Sequence, residues 1–331
     1  MNGPARAIEP ALDPDLPIVD AHHHLWPEPP APGVGTYLPE ELTADVAGCG
    51  HRIESTVFVE AFARYRTNGP AHLATAGETE FANAVGDAAM GGPAEGVCSA
   101  IVACADMSLG AAVQEVLDEH LAAAPQRLRG IRYLVACDAE YIDVGTRPAM
   151  LAEPKFREAF ARLAPNDLSY DAWVFHPQLD GVIDLAAAFP ETRIVLDHIG
   201  SPVRVGRFAG REAEVDAVWL AAMRRLAAHA NVFVKIGGLN GHFTGLGPTG
   251  AQGGYRSSDD LVLAQRRHVL ETIEAFGVDR CMFESNFPVD RDAAPADVLW
   301  NGFKKIVSDF SLDERRRLFA GTASEVYRLG H

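Results

Sequence analysis

The chain has 331 residues, 48% of them hydrophobic, and a formal net charge of −16 from 29 Lys plus Arg against 45 Asp plus Glu. A large core is available, and the acidic balance argues against nucleic acid or an anionic membrane surface as partner, because neutralising phosphates needs clustered cations. The five cysteines, Cys49, Cys98, Cys104, Cys137 and Cys281, are odd in number and form no CxxC pair, which reads as reduced thiols in a cytoplasmic protein, and no apolar stretch approaches the length of a membrane span.

Residues 1–16 read as an irregular Pro-rich lead-in without a hydrophobic signal core, followed by a single domain over 17–331. Eight short apolar runs then recur: PIVDAHHHL (17–25), ESTVFVEAF (54–62), CSAIVACAD (98–106), GIRYLVACD (130–138), DAWVFHPQ (171–178), RIVLDHIG (193–200), NVFVKIGG (231–238) and RCMFESNFP (280–288). Amphipathic stretches separate them, among them SLGAAVQEVLDEHLAAA, PKFREAFARLA, REAEVDAVWLAAMRRLAAHA and SDDLVLAQRRHVLETIEAF, and SLDERRRLFAGTASEVYRL closes the chain. Continuous Val/Ile/Phe runs mark strands buried on both faces. Eight of them alternating with helices predict an α/β fold, a (β/α)8 TIM barrel. The Gly-rich segment 238–260 is too long for a plain connection and reads as a lid or substrate wall.

A barrel of this kind carries its active site at the C-terminal ends of the strands. The first strand ends in His22-His23-His24. Alternation puts His22 and His24 on one face, where two imidazoles suit one divalent metal, and turns His23 away. The fifth run ends in His176, the sixth in His198, the eighth in Glu284-Ser285-Asn286. Any one of these histidines alone is an ordinary strand-end residue. Their joint occurrence points to a site. His51, His72, His120, His229, His268 and His331 fall in helices or loops and read as structural.

The motifs VDAHHHLW, GETEF (77–81), RGIRY (129–133), FHPQL (175–179), FPETRIVLDHIGSP (189–202), NVFVKIGGL (231–239) and RCMFESNFPVD (280–290) run nearly end to end. Together they resemble the amidohydrolase superfamily, in its amidohydrolase-related branch of TIM-barrel metal-dependent hydrolases that includes sugar-lactone and dicarboxylate-lactone hydrolases. The resemblance implies that His22, His24 and His176 are metal ligands and that His198 binds metal or polarises a substrate carbonyl. It implies one divalent metal, with zinc the expected ion. The eighth strand of such enzymes supplies an Asp in Ser-Asp-x-Pro, and this chain has Ser285-Asn286-Phe287-Pro288. A carboxamide ligates weakly and has no useful basicity.

Glu284, two residues earlier, is therefore the candidate base, unless it merely pairs with Lys235 or Arg132. Asp197 should point away from the face of His198. Arg132, Tyr65, Arg66 and Gln178 are the candidates to hold a small-molecule substrate. The expected activity is lactone opening by metal- or carboxylate-activated water. Metal-dependent decarboxylation, or a catalytically impaired barrel that only binds, are the alternatives. Dimers are common for such barrels, so a homodimer is expected.

Overall fold

The computed structural model describes residues 8–30, 34–138, 149–248 and 254–330. Among them eight strands, β1 (Ile18–His23), β2 (Ile53–Val59), β3 (Ala100–Cys104), β4 (Leu128–Arg132), β5 (Ser169–Ala172), β6 (Ile194–Leu196), β7 (Val232–Ile236) and β8 (Cys281–Phe283), form one sheet in sequential order. Each pairs in parallel with the next, as in Val57↔Ala100, Tyr170↔Ile194 and Val234↔Cys281. The sheet closes on itself just beyond β8. Asn286 N donates to His22 O at 2.9 Å, and His24 N donates to Phe287 O at 2.7 Å. The fold is a (β/α)8 barrel, built from all eight apolar runs.

The main helices are α1 (Pro39–Gly48), α2 (Ala76–Ala89), α3 (Val113–Ala123), α4 (Pro154–Phe160), α5 (Leu179–Ala188), α6 (Glu212–Leu226), α7 (Ser258–Phe276) and α8 (Ala296–Ile306). The sequence places α7 well because both ends carry signals. Ser257 and Asp260 form a reciprocal capping box, and Gly277 at φ +77° ends the helix. The helices pack Phe156, Phe160, Trp219, Trp300 and Phe303 against the outer face of the sheet, and all five are buried. The barrel interior is filled by Val19, Ala21, Val57, Val59, Val102, Val195 and Met282. Past α9 (Leu312–Arg316) a π-turn over Arg317–Gly321 leads into α10 (Thr322–Val326), and Tyr327 then enters that interior cluster.

The apolar runs extend further than the strands. The sixth run reaches Gly200, but β6 stops at Leu196. His198, Ile199, Gly200 and Ser201 all take positive φ, from +39° to +72°. Successive left-handed residues are strained for side chains with a Cβ, and they end the ladder. The lead-in is irregular from residue 8, yet pinned. The Glu9 carboxylate accepts from Ser258 N at 2.7 Å, and Lys304 Nζ donates to Leu12 O and Asp13 O at 2.9 Å.

Candidate active site

β1 delivers its histidines to the C-terminal mouth. His22 and His24 share the inward face, and their Nε2 atoms lie 3.2 Å apart. His24 Nδ1 donates to Val59 O at 2.8 Å, so its Nε2 carries a lone pair. His22 Nδ1 lies 3.1 Å from Glu284 Oε2 and 3.2 Å from Lys235 Nζ. Burial, then the nearby Lys235, lowers the His22 pKa, and burial, then His22, puts that of His24 well below the ordinary value. Both rings are therefore neutral. His23 faces the other way, accepting from Thr56 Oγ1 at 2.8 Å and packing on Phe58.

His198 donates Nδ1–H to Glu284 Oε1 at 2.7 Å. Burial alone would lower its pKa, but the Glu284 carboxylate outweighs burial and raises it. Glu284 itself moves the other way. Burial pushes its carboxyl up, and the stronger pull of His198 and His22 brings it down to about 2. Glu284 is fully buried and does not line the pocket. It sits behind two imidazoles, bonded to His198 Nδ1 and within ion-pair distance of His22 Nδ1.

Two glycines make room for this. A Cβ on Gly237 would lie 2.4 Å from Glu284 Cγ, and one on Gly238 would lie 2.1 Å from His198 Nδ1. Gly238 also has φ +63°. The Gly-Gly pair that ends the seventh run is thus a bed for the carboxylate–imidazole pair, a feature the sequence showed only as loop composition.

Asn286 lines the pocket at φ +56°, with Nδ2 3.4 Å from Asp290 Oδ1. Arg132 also lines it. Its Nε donates to Glu60 Oε1 at 2.8 Å, its Nη2 to Glu60 O, and its Nη1 lies 3.4 Å from His22 Nε2. Lys235, fully buried on β7, pairs with Asp171 at 2.6 Å and Asp197 at 3.1 Å, so neither cation is Glu284's partner.

Five expectations need correction. Asp197 points inward: it lies 3.6 Å from His22 Nδ1 and 3.6 Å from Arg132 Nη1. Asp197 keeps the alternation of the inward Val195, and it is His198, at φ +53° beyond the end of β6, that breaks it. His176 does not join the other histidines. β5 ends at Ala172, four residues earlier, and His176 opens a 3₁₀ turn whose Nδ1 accepts from Val203 N at 3.1 Å. Its ring packs on Phe208 and faces a separate crevice with Pro177 and Arg207. Trp173, nearer the strand end, lines the central pocket in its place. Gln178 is spent on backbone groups, accepting from Cys137 N and Phe175 N and donating to Val135 O at 2.7 Å. Arg66 pairs with Glu80 and Glu119 on the outer helices, and the Tyr65 hydroxyl is buried beside Cys104. Neither lines the pocket, which has a volume of about 200 Å³ and is bounded by His24, Arg132, His198 and Asn286 and by the aromatic side chains of Trp26, Phe62, Trp173 and Phe243. Gly238, Gly241 and Phe243 bring the start of the 238–260 segment to this pocket. Its residues 249–253 lie outside the described residues.

The donor set fits a divalent cation. Two nitrogens each about 2.1 Å from one ion stand roughly 3.4 Å apart at the tetrahedral angle. The 3.2 Å between His22 Nε2 and His24 Nε2 is close to that.

Over residues 19–329 the sequence matches the family model described as Amidohydrolase. The chain belongs to this amidohydrolase family. The uncharacterized protein y4mH of Sinorhizobium fredii is 32% identical over 95% of this chain and 99% of its own length. The L-fucono-1,5-lactonase of Burkholderia multivorans is 32% identical over 61% of this chain, which spans 64% of the lactonase. A crystallised amidohydrolase from Burkholderia multivorans with bound HEPES superposes with a TM-score of 0.72 at 26% identity, covering 95% of this chain and 99% of that one. A second crystal form of that amidohydrolase, with bound zinc, gives 0.73 at 24% identity and 95% and 99% coverage, and supports the fold.

Proposed function

We propose that this amidohydrolase opens the ring of a small lactone, with His198 as the proton-transfer group and Glu284 as its anchor. The observation that carries the reading is the 2.7 Å bond between His198 Nδ1 and Glu284 Oε1, in a side chain that itself lines the pocket. The carboxylate fixes the ring's tautomer and orientation and strengthens it as a base. A water oxygen adds to the ester carbonyl carbon while His198 Nε2 takes its proton. The ring C–O bond then breaks, and the same proton passes to the leaving alkoxide, giving an open hydroxy acid. Arg132, held by Glu60, lies where a cationic donor can stabilise the developing oxyanion.

His22 and His24 would hold a divalent ion, with the Asn286 carboxamide oxygen as a neutral third donor. Zinc is the ion proposed, since a neutral imidazole pair suits it and a crystallised family member binds it. Bound there, the ion would supply a Lewis acid for the ring carbonyl. Without the anionic Asp as a ligand, its retention rests on imidazoles and a neutral amide. The relatives named lactonases support the substrate class, as does the high electrophilicity of ring esters.

The test is a panel of sugar and dicarboxylate lactones assayed with a pH indicator. Ring opening releases acid, and His198→Ala is expected to remove most of it, by about 10²–10⁴-fold, the usual contribution of a general base. Activity unchanged in His198→Ala overturns the assignment. CO₂ release from a carboxylated substrate, in place of ring opening, would mark the decarboxylase alternative.

A further inference from the structure

GETEF was among the motifs that identified the family, and none of its residues touches the pocket. Its role is visible one step removed. Gly77 lies where a Cβ would meet Arg64 O at 2.3 Å and Arg66 N at 2.8 Å, so the first turn of α2 packs flush on the segment after β2. From that turn Glu78, 1% exposed, sends Oε1 to two backbone amides, Ala61 N at 2.8 Å and Ala63 N at 2.9 Å. The residue between them is Phe62. Its φ is +64°, a conformation disfavoured for a bulky side chain, and 57% of its surface is exposed at the pocket rim. A strained backbone persists only where its surroundings over-determine it, and such residues gather at ligand clamps. The same short turn serves the site twice more, since Val59 O fixes His24 and Glu60 fixes Arg132.

We infer that Phe62 is a specificity-determining wall of the pocket, a face on which the substrate ring stacks, and that Glu78 is the positioning residue that holds it there. This rests on the lactonase reading for the identity of the ring. A free loop would turn so exposed an aromatic toward its neighbours. Here the paired amide bonds fix it at the rim, 6.3 Å from the ring of Tyr65. Burial and the neighbouring Glu60 carboxylate push the Glu78 carboxyl up to about 8, so a neutral amide is a fair substitute and Glu78→Gln should preserve the clamp.

The experiment compares the intact chain with Phe62→Ala, Glu78→Ala, Glu78→Gln and the Phe62→Ala/Glu78→Ala double variant, on L-fucono-1,5-lactone and on the best lactone of the panel. Expected are a KM raised about tenfold with kcat within about twofold for Phe62→Ala, the size and pattern of a lost uniform binding contact. Glu78→Ala should match it, Glu78→Gln should restore KM, and the double variant should be no worse than either single one. Unchanged KM in Phe62→Ala, or additive losses in the double variant, overturn the proposal. If the unmodified protein opens no lactone, the lactonase reading falls by itself. Binding of L-fucono-1,5-lactone is then followed through the fluorescence of the pocket residues Trp26 and Trp173. Weaker binding by Phe62→Ala upholds the wall, and equal binding or no binding to either protein removes it.

Discussion

Glu284 is the residue on which the site turns. It stands two positions before Asn286, and from there its carboxylate reaches the Nδ1 atoms of both His198 and His22. An amide in its place offers one acceptor oxygen and carries no charge. Glu284→Gln is therefore expected to lower kcat by about 10²-fold, the upper end of what losing an orienting carboxylate costs. Asn286→Asp restores an anion beside the His22–His24 pair. It is expected to raise zinc retained after dialysis about tenfold, read by elemental analysis, with activity kept. Reduced zinc in Asn286→Asp would place the ion elsewhere. The sequence revealed the HxH pair, and Glu284 two residues upstream of a visible gap, because residues two apart share a face; it did not show the register shift between Asp20 and His23 in β1. It could not reveal Glu60 or Glu78. Their partners are backbone amides and an arginine far along the chain, and an isolated glutamate in a sequence carries no sign of such contacts.

At the scale of elements, strands and helices were readable and their ends were not. The apolar pattern runs on through His198 and Ile199, because those residues are buried although they have left the ladder. Burial, not hydrogen bonding, is what apolar patterning reports. The same limit misplaced His176, which stands four residues past the last strand residue and is bent away by the turn at Pro177. It also hid the Gly237–Gly238 bed. Gly238→Ala tests that bed directly. A Cβ there meets the His198 ring and must adopt φ +63°. The expected outcome is a loss of turnover comparable to that of His198→Ala, with the far-ultraviolet circular dichroism of a folded barrel. A variant with full activity would show that His198 is not held where it works.

At the scale of the molecule, buried ionisable groups set the pH range. The Glu78 carboxyl, ordinarily near 4.5, is raised to about 8 in the fold by burial and Glu60. The folded chain holds that proton where the unfolded chain has lost it, so this stabilising contribution is full below pH 4.5 and is lost as pH rises through about 8. His51 and His120 act in the opposite sense. Burial lowers both to about 4 from 6.5, so they are neutral when folded, and stability falls as pH drops from 6.5 toward 4. The melting temperature is therefore expected to peak near pH 6, about where the two effects cross. It should decline toward pH 8, and in Glu78→Gln that decline should be shallower. An identical slope in the variant would show that Glu78 is already ionised at neutral pH. The far end of the chain bears on the same interior. Tyr327 donates to Asp171 Oδ2 at 2.8 Å, Asp171 holds Lys235, and Lys235 lies 3.2 Å from His22 Nδ1. Three polar links thus join the closing helix to the His22 imidazole. Anyone engineering this barrel should treat its last helix as a support beneath the pocket, and attach affinity handles, reporters or surface anchors ahead of the lead-in.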